Sequence, residues 1–479
     1  MGTKKVVFNE DRVALLVGSF LFVMALLQMF GIDTLGWVVK TNIWTSPEMI
    51  FSASTYTNLN GIVALFVTYL GLMAILGTGI KLLNGDLKNF FFSFTVVFFV
   101  SYLCYAIGSY AYIAATPDQL EKYNIAWGMS LTGEAGFIIA LVTGVLVGNL
   151  MPNASTTLRE VCRPEMFVKI AIVVMGAELG VKAADGIGLA SSIIALGLCA
   201  IVAAYLIYWA VVYYIARKYF KFSREWAAPL ASGISICGVS AAIATGGAIR
   251  ARPIVPIMVS SLVVVFTCIE MLILPFIAQQ FLYHEPLVAG GWMGLVVKSD
   301  GGAMAAGAIT EALIRAKAIS SLGVNFEPGW VVMVTTTVKI FIDVFIGVWA
   351  FVLAYIWCTK FDPSVADGRM KFSAIWERFP RFVFGYVITF AVLLFISTQI
   401  EGGHANAKAM VKPLNSLRLI FFTLTFFTIG LVSNFKKLME EGIAKLAIVY
   451  VICLFGFIIW VGLAISWIFF SGILPPVVS

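Results

Sequence analysis

Two glycine-rich stretches decide the fold of this chain: SGISICGVSAAIATGGAI at residues 232–249 and GGWMGLVVKSDGGAMAAGA at residues 290–308. Both contain much Gly, Ala and Ser and few of the bulky residues that face lipid. They lie in a chain of 479 residues that is 61% hydrophobic and only 12% charged, which excludes a soluble globular protein. Irregular backbone at membrane depth is stable only when it is buried in protein or lines a wet cavity. We therefore expect both stretches to lie inside the protein and to form its site.

Long apolar runs around these stretches predict an all-α, polytopic membrane protein with about 11–13 transmembrane helices. The two glycine-rich segments, taken as 229–249 and 290–314, are predicted to be discontinuous helices. If both segments cross the bilayer the higher number of spans applies, and if both are re-entrant the lower number applies. The other candidate helices lie near residues 13–31, 59–83, 89–113, 127–150, 164–182, 190–215, 255–281, 329–357, 382–399, 415–434 and 446–471.

The basic residues of the connections orient the spans. The chain has 32 Lys plus Arg against 25 Asp plus Glu, an excess that is typical of membrane loops and is no argument for nucleic-acid binding. The basic connections all fall on one side, so we predict a bacterial inner-membrane protein with a cytoplasmic N-terminus and an external C-terminus. In the alternative with more spans, Arg250 and Arg252 would lie outside, against this bias. These two residues therefore line a protein cavity or belong to a segment that does not cross simply.

A weak internal similarity predicts an internal repeat. The sequence FVKIAIVVMG at 167–176 resembles LIFFTLTFFTIG at 419–430, and an apolar helix follows each of them. Chance similarity between two apolar helices is the competing explanation. Under the repeat hypothesis, residues 1–115 are additional N-terminal transmembrane helices and residues 116–479 are the transporter core. The pair Gly144 and Gly148 forms a GxxxG pattern, for which a helix contact is expected.

The first glycine-rich stretch could bind an anion. An unwound turn there would present backbone N–H groups and hydroxyls, helped by the positive end of the following half-helix. Close packing of helices through small residues is the alternative, and Cys237 is interpreted as a packing residue rather than a nucleophile. The candidate substrate-binding residues of this stretch and its basic continuation are Ser235, Cys237, Gly238, Ser240, Arg250 and Arg252.

The second stretch places charge beside a helix break. Lys298, Ser299 and Asp300 precede two glycines in an apolar segment, where each charge costs roughly 2.5 to 3.5 kcal/mol on insertion scales. Pairing or solvation must offset that cost, unless the segment is short and the charges lie at the interface. Lys298 and Ser299 are candidate substrate-binding residues, and Asp300 is a candidate coupling-ion residue.

Further ionisable residues lie in predicted spans. Lys339 and Asp343 are four residues apart, so their charges share one face of a helix. They form either a buried structural ion pair or part of the site, with Lys339 as a substrate ligand and Asp343 as a coupling-ion ligand. Glu134 and Glu270 are candidate proton carriers, because removal from water favours the protonated carboxyl group.

Five motifs in sequence order resemble the YeiH family, whose members are regarded as sulfate exporters. They are GVLVGNLMP at 144–152, FVKIAIVVMGAELG at 167–180, SGISICGVSAAIA at 232–244, SDGGAMAAGA at 299–308 and TVKI at 337–340. The resemblance covers about residues 127–471, and ICGxSA with basic residues downstream is its most specific part. It implies a secondary transporter of the cation:proton antiporter and anion transporter superfamily, with inverted repeats and a midplane site.

The resemblance also assigns residues. Cys237, Gly238 and Ser240 match the CGxSA element, Asp300 matches the Asp of an HD pair, and Lys339 matches an intramembrane Lys. The basic residues downstream, Arg250 and Arg252, stand where the family usually has lysines. The chain departs from the family at Ser299, where His is usual, and at Glu178, where Arg is common.

These observations predict a secondary transporter for sulfate, sulfite or an organic sulfonate. Transport would be coupled to H⁺ or Na⁺ by alternating access, and export is the expected direction. A passive anion channel and an accessory subunit of a larger complex are the alternatives, and the additional N-terminal helices could support a homodimer. An enzyme is not expected, because both histidines lie in connections. No cofactor or metal site is predicted, because the cysteines lack metal-ligand spacing.

Overall fold

The computed structural model describes residues 9–115, 119–129, 135–151, 157–158, 163–252, 254–361, 381–433 and 444–478. Regular structure in these ranges is almost entirely helical. The helices are α1 Glu10–Leu26, α2 Gly61–Leu82, α3 Leu87–Gly108, α4 Ala111–Ala114, α5 Ala135–Leu150, α6 Pro164–Asp185, α7 Ile187–Lys218, α8 Arg224–Ser235, α9 Gly238–Ala248, α10 Ile254–Phe281, α11 Pro286–Val296, α12 Asp300–Leu322, α13 Trp330–Ile356, α14 Phe382–Gln399, α15 Gly403–Val432 and α16 Ala444–Phe470. A small antiparallel pair, β1 Val39–Thr41 and β2 Phe51–Ala53, lies between α1 and α2.

The described helices confirm the predicted all-α membrane protein. Nine of them are long and apolar enough to cross a bilayer: α1 with its continuation to Phe30, α2, α3, α7, α10, α13, α14, α15 and α16. Two more, α5 with 16 residues and α6 with 22, have lengths close to a bilayer crossing. The two glycine-rich segments are not single long helices. Each is broken into two shorter ones, α8 with α9 and α11 with α12.

The chain divides into two compact units. The first comprises Met1–Leu189 with Arg381–Val432. Its helices α5 and α15 approach closely, because a Cβ atom on Gly144 would collide with the carbonyl oxygen of Phe427. This contact confirms the helix packing expected from the GxxxG pattern.

The N-terminal helix α1 is anchored inside this first unit by ion pairs. Lys169 Nζ of α6 lies 2.7 Å from Asp11 Oδ1, and Arg163 Nη1 lies 2.6 Å from Glu10 Oε1. Glu178, which departs from the family pattern, pairs with Arg418 Nη1 at 2.7 Å. Residues 9–115 therefore pack in the same unit as α5 and α6, while the division into an addition and a core stays a prediction.

The second unit comprises Ala190–Pro380 with Ser433–Ser479 and contains both glycine-rich segments. In the first segment, α8 and α9 fold back on each other. Thr245 Oγ1 of α9 donates to Ser232 Oγ of α8 at 2.7 Å, although 13 residues separate them. The same two residues would be about 20 Å apart in one continuous helix. At the open end, Arg252 Nε lies 3.0 Å from Glu225 Oε1, so the segment returns to the side from which it entered.

The second glycine-rich segment, formed by α11 and α12, is also a hairpin. Both arms contact the first turns of α13: Thr335 Oγ1 donates to the carbonyl of Gly290 in α11 at 2.8 Å. From the other arm, the Glu311 carboxylate of α12 accepts a hydrogen bond from the amide of Val331 at 2.9 Å. The first arm, α11, therefore begins near the N-terminal end of α13, and the second arm, α12, returns to that same end.

The two hairpins, called here the first hairpin (α8 and α9) and the second hairpin (α11 and α12), enter from opposite ends of α10. The first hairpin ends just before α10 and the second begins just after it. Because α10 has 28 residues, about 42 Å of helix separates the two open ends. The described chain thus fits the alternative in which both segments are re-entrant, with Arg252 paired to Glu225 at the end where the first hairpin starts.

Each hairpin breaks at residues with non-helical backbone. Ile236 has φ −113° and ψ −111°, Cys237 is extended, and α9 begins at the next residue. In the second hairpin Val297 is extended, and Ser299 caps α12 by accepting a hydrogen bond from the amide of Gly302 at 3.0 Å. These local breaks place the tips of both hairpins inside the second unit.

Candidate functional site

The two hairpin tips meet through the backbone. The amide of Gly238 donates to the carbonyl of Lys298 at 2.6 Å. Gly238 is required by this approach, because a Cβ atom there would lie 2.8 Å from that carbonyl oxygen and would collide with Val263 Cγ1. A contact this close places the neighbouring residues Cys237 and Asp300 beside each other.

Ionisable side chains surround this contact and are removed from solvent. The relative exposures are 0% for Lys298 and Lys339, 2% for Asp300, and 1% for Asp343 and Glu270. Lys339 lies nine positions beyond the first residue of α13, or about 14 Å along the helix, which is close to the middle of a hydrocarbon core about 30 Å thick. Charges at such a depth must be paired or solvated.

Asp300 is the centre of the first group of contacts. Cys237 Sγ donates to Asp300 Oδ1 at 2.7 Å, and Lys339 Nζ lies 3.9 Å from the same oxygen. Lys339 Nζ also donates to the carbonyl of Val297 at 3.2 Å. Cys237 of the first break and Lys339 of α13 therefore converge on the one carboxylate of Asp300.

Lys298, two residues before Asp300, forms a second group of contacts with other partners. Its Nζ donates to the carbonyl of Leu295 at 2.6 Å and lies 4.8 Å from the centre of the Tyr208 ring. Its backbone amide donates to Glu270 Oε2 at 3.3 Å. The ammonium group thus satisfies a carbonyl at the C-terminal end of α11, where the helix dipole favours a cation.

Asp343 completes the cluster and has hydrogen-bonding capacity to spare. Its carboxylate, the Cys237 thiol and the Asp300 carboxylate contribute three ligand atoms that all lie within 4.8 Å of one another. Neither Asp343 oxygen has a hydrogen-bond partner of good geometry among the described residues. Buried polar groups are nearly always satisfied, so this carboxylate is suited to a proton, a water molecule or a solute.

Other buried polar atoms around the hairpin tips also lack hydrogen-bond partners among the described residues. Within the described ranges, five further buried polar atoms near α7, α8, α10 and α16 lack a partner: Ser235 Oγ, Glu270 Oε1, Thr267 Oγ1, Tyr208 hydroxyl and Tyr450 hydroxyl. Thr267 and Glu270 lie one turn apart on α10, which packs against the second hairpin. The tips are therefore lined by polar groups that can exchange partners.

The thiol and two carboxylates could also hold a cation, since these are metal-ligand groups. Lys339 already supplies a positive charge 3.9 Å from Asp300, however, and a metal ion would have to displace it. The arrangement fits a tethered ammonium better than a resident metal.

Two predicted ligands lie away from the tips. Arg252 pairs with Glu225, and its side chain is 66% exposed. Arg250 is likewise exposed, at the open end of the first hairpin. The first hairpin returns its C-terminal arm to the side where it started, which fits the alternative of a segment that does not cross simply. The assignment of these two arginines as substrate ligands stays a prediction.

The other predicted residues have mixed positions. Ser235 and Gly238 lie at the tip of the first hairpin, and Ser299 is used as the cap of α12. Ser240 is in the first turn of α9, but its side chain lies outside the described part of the structure, as does all of Glu134. The roles of these residues stay predictions.

Tyr208, Thr267 and Tyr450 line the site and were not predicted from the sequence. Each is one of several hydroxyl-bearing residues in a long apolar helix, which are common in packed membrane helices and carry no signal of their own. Only the fold shows that these three helices surround the hairpin tips.

Fold and site together define a polytopic helical membrane protein with two opposed re-entrant hairpins and a buried charge cluster at their tips. The chain belongs to the family described as Conserved hypothetical protein 698, whose model matches residues 103–449. The membership of the YeiH family inferred from the five motifs is thereby confirmed.

Known relatives extend this similarity. A UPF0324 membrane protein of Nitrosomonas europaea is 38% identical over 474 residues, covering 98% of this chain and 97% of the relative. An uncharacterized protein of Archaeoglobus fulgidus is 42% identical over 171 residues, 31% of this chain and 91% of the relative. A UPF0324 membrane protein of Rhodopirellula baltica is 27% identical over 411 residues, 84% of this chain and 66% of the relative. No solved structure matches the chain significantly. Because the first relative covers almost the whole chain, the N-terminal helices are shared with it.

Proposed function

We propose that this protein is a secondary transporter of a small anion, coupled to protons by alternating access. The observation that carries the proposal is the buried pair of Lys339 and Asp300 at the contact between two re-entrant hairpins. Broken helices of this kind are where transporters bind solutes, because their free backbone groups and helix ends can hold charge at membrane depth.

Two lysines provide the positive charge for the anion. Lys298 and Lys339 are both fully buried and both donate to carbonyls at the break of the second hairpin, Leu295 and Val297. Two ammonium groups match the two charges of sulfate or sulfite, and a single one would serve an organic sulfonate. This match and the family resemblance support the sulfur oxyanions as the substrate class. Arg250 and Arg252 are left out of the proposed site because of their exposed positions.

The acids beside these lysines explain coupling to protons. Asp300 lies 3.9 Å from Lys339, so an anion that binds Lys339 would also be repelled by the negative charge of Asp300. Protonation of Asp300 removes this repulsion and releases the lysine for the substrate, and Asp343 is a neighbouring carboxyl group that can exchange the proton with it. A sodium ion would instead add a cation next to the ammonium group, so a proton is the favoured coupling ion over Na⁺.

The test is uptake of radiolabelled sulfate or sulfite into proteoliposomes under an imposed pH gradient. Asp300→Asn and Lys339→Gln are expected to lower the initial rate at least tenfold, about 1.4 kcal/mol or more. Lys169→Gln is the matched control, because Lys169 is another buried lysine paired with a carboxylate, Asp11, but lies in the first unit.

A fold defect must be separated from a site defect. The double variant Asp300→Asn with Lys339→Gln removes both charges together, so it leaves no unpaired charge of that pair in the interior. Transport by this variant at the rate of the unmodified protein would reject the site. Transport that ignores the pH gradient and runs far faster than carrier turnover would instead support a channel.

A further inference from the structure

A pocket opens in the second unit at the C-terminal end of α7 and extends to Arg224, the first residue of α8. Its volume is about 560 Å³. Aromatic side chains line one part of its wall and basic side chains the other, chiefly Trp209, Tyr213, Tyr214, Arg217, Lys218 and Arg224. None of these residues belongs to the proposed transport site.

The pocket is positively charged. Three of its side chains are cationic, and no carboxylate is among the described residues that line it. The nearest acid in sequence, Glu225, accepts hydrogen bonds from Arg252 at 2.8 and 3.0 Å and so is already engaged. Arg224 lies 4.0 Å above the ring of Phe361, which holds its guanidinium at the pocket wall.

The cations of the pocket are held by neutral partners. Arg217 donates to the carbonyl of Phe222, and Lys218 contacts the hydroxyl of Tyr214. Lys218 Nζ also lies 4.9 Å from the centre of the Tyr214 ring. Neutral partners orient the three charges without cancelling them, so all three remain available to an anion in the pocket.

Polarity changes in one direction along α7. Trp209, Tyr213 and Arg217 are spaced by four residues and share one helix face, so the face passes from indole to phenol to guanidinium over about 12 Å. The rings of Trp209 and Tyr213 stack with centres 4.8 Å apart. Aromatic rings favour the level of the glycerol backbone of a bilayer, and cations favour the level of the phosphates.

We propose that this pocket binds the phosphate-bearing headgroup of an anionic phospholipid. The phosphate lies among Arg217, Lys218 and Arg224, and the upper acyl chain lies along Trp209. A free phosphate ion would use only the basic end, whereas the aromatic face requires a ligand that is also apolar. Arg224 is the first residue of α8, and Trp209 Nε1 donates to Ser232 Oγ of the same helix at 3.0 Å, so the lipid would contact the first hairpin directly.

Native mass spectrometry of the purified full-length protein in detergent tests this proposal. The protein is titrated with phosphatidylglycerol, with phosphatidylcholine of the same chains, and with glycerol 3-phosphate as the headgroup without chains. We expect tighter binding of phosphatidylglycerol than of the other two. Lys218→Gln with Arg224→Gln should weaken phosphatidylglycerol binding about thirtyfold, since each basic residue near an anionic surface contributes about 1 kcal/mol.

The matched control removes the same charge elsewhere. Lys81 and Lys88 are exposed residues near the ends of α2 and α3, and Lys81→Gln with Lys88→Gln should leave binding within about twofold of the unmodified protein. Equal losses in both double variants would show a general charge effect and overturn the proposal. Equal affinity for phosphatidylcholine, or displacement of the lipid by equimolar glycerol 3-phosphate, would overturn it as well.

Discussion

The amide of Gly238 donates to the carbonyl of Lys298 at 2.6 Å, and this hydrogen bond joins the tips of two hairpins that enter from opposite ends of α10. Each tip alone would leave backbone groups unsatisfied in an apolar interior. Joined, each supplies the partner that the other lacks, and the side chains of Cys237 and Asp300 come within 2.7 Å as a result. The charge cluster is thus a consequence of the backbone contact.

Gly238→Ala is expected to destabilise the protein by about 1–3 kcal/mol, because the new methyl group would collide with Val263 and crowd the Lys298 carbonyl. Thermal unfolding in detergent, followed by circular dichroism, measures the effect. Gly247→Ala in the same helix is the control, because nothing lies within 4 Å of its added Cβ atom. That substitution should be neutral or stabilising by up to about 1 kcal/mol. Equal melting temperatures for the two variants would contradict the close approach at the tips.

The re-entrant topology predicts which loops share a membrane side. Single cysteines introduced as Ser223→Cys and Arg250→Cys should both react with a membrane-impermeant maleimide from one side of sealed vesicles. Ser321→Cys, in the last turn of the second hairpin, should react only from the other side. All three positions are exposed in the structure. Opposite sidedness of positions 223 and 250 would mean that the first segment crosses the bilayer, contrary to the pairing of Glu225 with Arg252.

Cys237 should report opening of the site. It is 3% exposed at rest, so a variant that retains only this cysteine should react slowly with a water-soluble thiol reagent. If the hairpin tips separate during transport, substrate together with a pH gradient should accelerate the reaction at least severalfold. Cys268 is the control, because it is 1% exposed on α10 and lies 3.0 Å from Ser433 Oγ, in a packed position. Acceleration of both cysteines alike would indicate general loosening, and acceleration of neither would argue against an opening at the tips.

Glu311 is expected to stabilise the end of the second hairpin. Its carboxylate accepts hydrogen bonds from the amides of Gly329, Val331 and Val332 at 2.7, 2.9 and 3.2 Å. These amides begin α13, where a negative charge is favoured by the helix dipole. Glu311→Ala should therefore lower the free energy of unfolding by about 2–3 kcal/mol, and Glu311→Gln by less. Glu401→Gln, at an exposed turn, should change it by no more than about 0.5 kcal/mol, and thermal unfolding compares all three.

Prediction from sequence succeeded where the signal is local. Apolar length alone indicated the long helices, and the glycine-rich composition of 232–249 and 290–308 indicated the breaks. The charge bias of the loops already indicated that Arg250 and Arg252 would lie on the less basic side if their segment crossed the bilayer. Prediction failed where the role of a residue depends on neighbours that are distant in the chain. Examples are Tyr208, whose ring lies next to Lys298, and Glu311, whose carboxylate caps the first turn of α13.

Hydrophobic length and glycine content act within a few turns of helix, so the order of amino acids is enough to specify a bundle of membrane helices with two broken segments. The tertiary structure decided which charges belong together. A hairpin and a crossing helix have the same composition, and only the backward fold at residue 237 sends Arg252 to Glu225 and leaves Cys237 facing Asp300. The physical reason is that a buried lysine or aspartate must find its partner through space, and residues far apart in the chain, such as Lys339 and Asp300, meet only when the hairpins have docked.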